Sequence, residues 1–320
     1  MHRLWRALLC GVLTSLAAMV PARAQDWPTR PVTLVSLFST GGTGDVVMRA
    51  IAKALGDTFG QQFVIDYRLG AGGAVGSASV ARAPPDGYTF MMTATGPAVL
   101  NRILLKSVPY NTDTDFTPVI VLGDIPQLIV SSPQLGFKQL PDLVDFGKRN
   151  PGTLNVGHAG AGSMGHLAAA LFLARSGIQG TLIGYRGAAP VVADVLSGQM
   201  HAGFPIVIPA AASVTTLAVT SDQRLGFLPD VPTAREAGTD LLAGTWFAIM
   251  APAGVPKPIV MQVNQTIDRF LKSEGGAQQL ARLGMRALGG PPERLTQVIE
   301  NDRRTWGPVI ANENFLLDSN

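Results

Sequence analysis

Residues 32–38 read Val-Thr-Leu-Val-Ser-Leu-Phe, a short and nearly continuous apolar run. A strand of this kind is covered on both faces, which calls for a sheet with helices packed above and below it. The run leads into Ser39-Thr40-Gly41-Gly42-Thr43-Gly44, and helical spacing starts at Asp45, with Val47, Ile51 and Leu55 on one stripe. The same grammar then repeats. A strand signal at 63–67 is followed by Gly70-Ala71-Gly72-Gly73-Ala74-Val75-Gly76 and a helical stretch over 77–82. Asp86-Gly87 marks a turn before a third strand at 88–94. The pattern β-α-β-α-β predicts a doubly wound half whose strand-end loops converge on one crevice.

The first of these loops has the composition of an anion site. Ser39, Thr40 and Thr43 offer hydroxyls, and Gly41 and Gly42 let the backbone approach a ligand closely. The helix behind them adds unpaired N–H groups and the positive end of its dipole. Neutral donors suit reversible capture, because no permanent counter-charge has to be stripped of water. Asp45 reads as a cap rather than a contact, since its charge would repel an anion. The loop Ala94-Thr95-Gly96-Pro97 sits at the third strand's end and is expected to line the same cleft, through Thr95 and Gly96.

The chain's ends and charge bound what else it can be. Arg3 and Arg6 precede a mostly apolar stretch over 7–20, and Ala22-Arg23-Ala24 is a small-x-small cleavage site. This is expected to be an export signal over 1–24, and no later stretch has about 18 uninterrupted apolar residues. The formal charge of +3 resides in that segment: it carries three of the 25 basic residues and none of the 22 acidic ones. The remainder is near neutral, which gives no basic face for nucleic acid or anionic membrane. The single cysteine, Cys10, also lies in the signal, so an oxidising compartment is tolerated without any disulfide. The roughly 296 residues that follow suggest two domains rather than one.

In the second half, 119–130 holds two apolar runs broken by Gly123-Asp124-Ile125-Pro126, a strand crossing between domains. A strand beginning at 154–156 opens new α/β units, with helices near 166–176 and 188–196, and a strand at 216–220. Residues 246–251 are the return crossing, and helices follow over 258–271, 276–283 and 295–306. Ala159-Gly160-Ala161-Gly162-Ser163 again joins strand to helix, and the amides of Ala188 and Ala189 open another helix beside Arg186.

These features, in order, resemble the Bug family, the periplasmic substrate-binding proteins of tripartite tricarboxylate transporters. The markers begin with Trp27-Pro28-Thr29-Arg30-Pro31-Val32, Gly41-Gly42-x-x-Asp45 with Arg49, Gly70-Ala71-Gly72-Gly73 and Pro85-Asp86-Gly87-Tyr88. Pro109-Tyr110, Asp115-Phe116-x-Pro118-Val119, Ala159-Gly160-x-Gly162-Ser163 with His166-Leu167, and Tyr185-Arg186-Gly187-Ala188-Ala189-Pro190 follow. Leu228-Pro229-Asp230-Val231-Pro232-Thr233, Glu236-Ala237-Gly238 and Trp246-Phe247 with Ala251-Pro252-Ala253-Gly254 complete the set.

The resemblance implies an α/β, two-domain periplasmic binding protein fold of type II-like form, each domain a doubly wound sheet, joined by two hinge strands. The expected division is 25–123 with 247–320, and 124–246. The resemblance also implies a small carboxylate held between the domains by backbone amides, hydroxyls and bridging waters, with no cofactor and no catalysis. In such a cleft the second loop faces the first, so Gly160, Ala161, Gly162 and Ser163 are expected to clamp the far end of the ligand. A monomer serving a tripartite membrane permease or a sensor kinase is the partner expectation. Departures from the family pattern cluster in one wall. Ala161, His201 and Pro205 stand where the family commonly has a polar residue, an Asp and another Asp, and 206–216 is shorter than usual.

Readings from other classes find less to stand on. Ala161-Gly162-Ser163-Met164-Gly165 resembles a nucleophile elbow, but a serine hydrolase needs a base. Beyond the signal the histidines are His158, His166 and His201, and none lies in the last third of the chain. Gly70-x-Gly72-x-x-x-Gly76 mimics a dinucleotide fingerprint with its third glycine one residue late. The histidines are not spaced as metal ligands.

Overall fold

The computed structural model describes residues 27–312 apart from positions 39, 42, 106, 161, 186, 187 and 207–212. The signal read over 1–24 lies outside the described residues, as do Ser39, Gly42, Ala161 and Arg186 among the expected ligand groups.

The first sheet begins with β1 (Val32–Ser36), α1 (Thr43–Phe59), β2 (Phe63–Tyr67), α2 (Ala74–Ala81) and β3 (Thr89–Ala94). β1 lies between β2 and β3, all parallel, as the β-α-β-α-β pattern requires. A π-turn over Gly96–Leu100 runs into α3 (Asn101–Leu104), and β4 (Phe116–Pro126) then joins the same sheet and leads on to the second. The second sheet is built from β5 (Leu128–Ser131), α4 (Leu140–Arg149), β6 (Leu154–His158), α5 (Met164–Ser176) and β7 (Gly180–Gly184). α6 (Ala188–Leu196), β8 (Ala202–Gly203) and β9 (Thr215–Val219) complete it. The chain returns along β10 (Gly244–Pro252) and closes with α7 (Lys257–Lys272), α8 (Glu274–Ala281), β11 (Arg286–Ala287) and α9 (Pro292–Asn312).

The strand orders are β11-β4-β10-β3-β1-β2 and β7-β6-β8-β5-β9. Neither sheet is purely parallel: β10 runs antiparallel to β3 and β4, and β5 antiparallel to β8 and β9. β1 stops two residues short of the apolar run that suggested it. The Ser36 hydroxyl donates to Phe38 O at 3.1 Å, a local bond that bends the chain out of the ladder.

Burial follows the two-residue alternation of the strands. Val32, Leu34, Phe90 and Met92 face α1 and α7 on one side of the first sheet. Val35 and Met91 face the other side, in a cluster that continues through Trp246 and Trp306 into Leu167–Leu173 of α5 and Phe204. α9 packs on α5 here, so α5 is buried almost all round despite carrying Ala168, Ala169 and Ala170. The outer face of the second sheet is covered by Val191, Val192 and Val195 of α6.

The chain passes between the sheets at Gln127 and again at Ala243–Gly244, and Thr220 bolts the two passages together. Its hydroxyl oxygen accepts the Gln127 N–H at 2.8 Å and donates to the Ala243 carbonyl, all buried. Its backbone continues the joint, with Thr220 N donating to Gln127 O and Ala243 N to Thr220 O, each at 3.0 Å. Replacing Thr220 by Val removes the hydroxyl and leaves the buried Gln127 N–H only its long 3.4 Å contact with Ala243 O. Urea unfolding should show a loss of about 1–3 kcal/mol for Thr220→Val, with most of it recovered in Thr220→Ser.

Candidate functional site

Three loops meet at the C-terminal ends of the first sheet's parallel strands. A Cβ on Gly73 would lie 2.7 Å from Pro97 and 3.3 Å from Leu37, and Asn101 Nδ2 donates to Gly72 O at 3.0 Å. In the first loop Thr40 and Gly41 are exposed and Thr43 is half-buried as the first residue of α1. Gly41 takes a left-handed φ of +80°, which a side chain would resist. This turn aims its N–H at Asp45 Oδ2, 2.8 Å away.

Asp45 is buried and also accepts from Tyr67 Oη at 2.5 Å and Arg49 Nε at 3.2 Å. The Gly41 amide, then Tyr67 and Arg49, hold its carboxyl below the ordinary value against the opposing effect of burial. Asp45 thus caps the loop from inside the first helical turn, and the Gly41 amide is spent on it. The side chains of Thr40 and Thr43 bond to no other described residue.

Thr95 plays a different part. It is 1% exposed, and its hydroxyl oxygen accepts the Trp246 N–H at 3.0 Å, fastening the end of β3 to the return strand. Gly96 is half-buried, and a side chain there would meet open space.

The second loop, between β6 and α5, is organised by two histidines. His158 and His166 stack with ring centroids 4.0 Å apart and planes 11° from parallel. Gly162 N donates to His166 Nδ1 at 3.1 Å, and His158 Nδ1 lies 3.0 Å from Gly160 O and 3.3 Å from Gly160 N. At His166, an Nδ1 that accepts an amide proton belongs to a neutral ring with its hydrogen on Nε2. Burial lowers both imidazoles, and His166, with His158 beside it, falls to about 4. Ser163 is the N-cap of α5: its Oγ accepts the His166 backbone N–H at 3.2 Å, and its own N–H donates to Gly160 O. The hydroxyl hydrogen of Ser163 is what this half-buried residue has left to offer outward.

Ala188 and Ala189 occupy the first turn of α6, where helix amides lack intrahelical acceptors. Tyr185 leads into it, and burial together with Asp194, which accepts its phenol at 2.6 Å, pushes that phenol up to about 12.

Both loops abut the crossing. Phe38, just past β1, meets Phe247 of β10 edge-on at 5.2 Å. Gly165, in the first turn of α5, lies so close to Phe204 O that a Cβ would fall 2.5 Å from it and 3.3 Å from Gln127 Oε1. Phe247 is three residues from Gly244, which pairs with Pro126 beside Gln127. Those three residues span about 10 Å of strand. Both helix-opening loops therefore lie next to the crossing strands.

His201 lies elsewhere. Its Nδ1 accepts Asn155 N at 3.1 Å at the start of β6, the opposite end of that strand from His158 and the loop. The expected alteration of the cleft wall at His201 is thus a packing change remote from Ser163, whereas Pro205 stays close, its carbonyl accepting Leu128 N. Sequence patterns carried no sign of the stacked histidines, or of Tyr67 as the partner of Asp45, because both contacts join separate elements. Among the described residues no three His, Cys, Asp or Glu gather to hold a metal, and no helix is long and apolar enough to cross a membrane.

Residues 47–315 match the family model described as the tripartite tricarboxylate transporter family receptor. The chain is 32% identical to protein BugT of Bordetella pertussis over 96% of its own length and 97% of that protein's. An R. palustris protein solved with adipate is 36% identical, with a TM-score of 0.75, over 89% of this chain and 98% of that one. MatC of Rhodopseudomonas palustris, solved with bound malate, is 31% identical with a TM-score of 0.70, over 89% of this chain and 100% of that one.

The histidine pair makes stability depend on acidity in a definite sense. His166 ordinarily titrates at 6.5 and in the fold at about 4, so its neutral form contributes stability that is complete above 6.5 and lost as pH falls toward 4. His166→Asn keeps an oxygen acceptor near the position of Nδ1 without the titration. Melting curves between pH 7 and 4 should slope less steeply for His166→Asn than for the wild type.

Proposed function

The chain belongs to the tripartite tricarboxylate transporter receptor family, and we propose that it is a periplasmic solute-binding protein that captures a small organic carboxylate between its two lobes. The observation that carries this reading is the placing of two helix-opening, hydroxyl-bearing loops on either side of the crossing strands. One carboxylate end is assigned to the hydroxyls of Thr40 and Thr43 with the first-turn amides of α1. The other is assigned to the Ser163 hydroxyl with the opening turns of α5 and α6, at Ala188 and Ala189. Gly41 and Gly162 serve by conformation rather than by their amides, which Asp45 and His166 already hold.

Ser39, Gly42, Ala161, Arg186 and Gly96 complete the proposed lining, and Thr95 supports it from beneath. Closure bends the chain at Gln127 and Ala243–Gly244, dividing it into 25–123 with 247–320, and 124–246. As the lobes close, water leaves and neutral donors act in a lower dielectric than on an open surface. The reading includes export by cleavage after Ala24, a monomeric state, and delivery to a tripartite permease, or else to a sensor kinase. It assigns no catalysis: the Ser163 oxygen accepts a backbone N–H, and His166 Nδ1 is turned to Gly162.

A thermal-shift panel of mono-, di- and tricarboxylates, with adipate and malate among them, tests this directly. At 100 times the dissociation constant the matching class should add about 2.7 kcal/mol, a rise of several degrees in Tm. A Thr40→Ala, Ser163→Ala double variant should lose that shift, read against its own ligand-free Tm, since losing the N-cap of α5 removes about 0.5–2 kcal/mol of stability. A flat panel on protein shown to be free of co-purified acid would sink the proposal.

A further inference from the structure

The two helix-opening loops lie on one side of the crossing strands. In the first sheet β1 stands three places from β4, across β10 and β3, and β11 borders β4 on its other side. In the second sheet β6 stands two places from β5, across β8, and β9 borders β5 on its other side. Asp222, two residues past the Thr220 joint that follows β9, meets Arg286 of β11 across this rear edge. Among the ion pairs of the described residues, this is the one that reaches from the first sheet to the chain leaving the second.

Arg286 is held ready for that contact. Asp124, its partner across the β4–β11 ladder, takes Nε at 3.0 Å and Nη2 at 2.8 Å, and Nη1 is left to donate to Asp222. The Arg286 side chain is 25% exposed, whereas that of Asp222 is 52% exposed. Arg286 is thus the fixed half of the pair, and Asp222 is the half that can part from it. Beside them a cavity of about 280 Å³ is lined from both lobes, so the rear has room to change shape. The packing of α9 on α5 also joins the lobes, but apolar packing tolerates small sliding. An ion pair instead fixes a distance.

The crossing strands are the fulcrum between front and rear. At the usual spacing of strands, the end of β1 stands roughly 14 Å from β4 and Arg286 roughly 5 Å to the other side. A turn about the crossing that brings the front loops together by several ångströms parts the rear by about a third as much. A hydrogen bond is already weak at about 3.5 Å, so the pair does not survive that motion. In this structure the pair is made while Thr40, Gly41 and Ala189 at the front are exposed. We propose that Arg286 and Asp222 form a latch behind the hinge, which holds the cleft open and parts when the cleft closes. The latch rests on the reading of two closing lobes and assumes no particular ligand. Apparent affinity falls with the fraction of molecules able to close. A chain without the latch therefore captures its ligand about 1.5- to 5-fold more tightly, the range for an exposed ion pair.

The chain beyond residue 24 has no cysteine, so two can be introduced for spin labels, Lys53→Cys on α1 and Ala193→Cys on α6, both at exposed positions. Their separation is read by double electron–electron resonance without ligand. Asp222→Ala in this labelled protein should shift the distribution toward shorter separations, with the short form about 1.5- to 5-fold more populated. Raising sodium chloride from about 0.01 to 1 M screens exposed pairs. That step should move the labelled parent the same way and leave Asp222→Ala unmoved. A distribution that Asp222→Ala leaves unchanged or lengthens, or a salt step that moves both proteins alike, overturns the latch. The carboxylate reading is scored apart from it. An acid from the panel that shortens the separation, with no effect of Asp222→Ala before it is added, keeps that reading and sinks the latch. A flat panel beside a ligand-free shift in Asp222→Ala does the reverse.

Discussion

The joint made by Thr220 is the constraint on which the molecule's working geometry rests. Two chain passages, at Gln127 and Ala243, are held side by side through one buried hydroxyl and the backbone bonds around it. A buried hydroxyl that both accepts and donates leaves neither partner unpaired, and geometry at such a point is over-determined. The two passages therefore bend as one unit. Each helix-opening loop is anchored near this joint, the first through Phe38 on Phe247 and the second through Gly165 against Gln127.

A common logic governs both loops. A carboxylate or imidazole from the helix behind each loop takes up a glycine amide within it: Asp45 for Gly41, His166 for Gly162. The amides that composition alone would offer to a ligand thus stiffen the loops. Outward chemistry is left to Thr40, Thr43 and Ser163. Pre-organisation of this sort lowers the ordering cost of capture, because the loop is already in a single shape before the ligand arrives.

Much of the fold was legible in the chain because local signals and burial agree. Continuous apolar runs gave β1 and β3, stripes at helical spacing gave α1 and α7, and the broken run at 119–130 gave the first crossing at Gln127. β7 and α4 went unread. The segment Gly-Thr-Leu-Ile-Gly is short and half-exposed at a sheet edge, and α4 begins at Leu140-Pro141 without a Ser, Thr, Asp or Asn cap. The glycine and hydroxyl pattern located the loops of the candidate site, yet the internal fate of their amides was hidden. That fate depends on Tyr67, which reaches Asp45 from β2, and on the stacking of His158 on His166 between β6 and α5, contacts made only once these elements pack.

The shared packing of α5 and α9 bears on how the molecule comes apart. The cluster between the sheets draws on Val35 and Met91 from one and on Leu154, Val156 and Leu217 from the other. Neither lobe owns the surface that α5 covers, so neither keeps a complete core when the other melts. Such a chain loses its structure in a single cooperative transition, and a separated lobe would expose an apolar face that water does not tolerate.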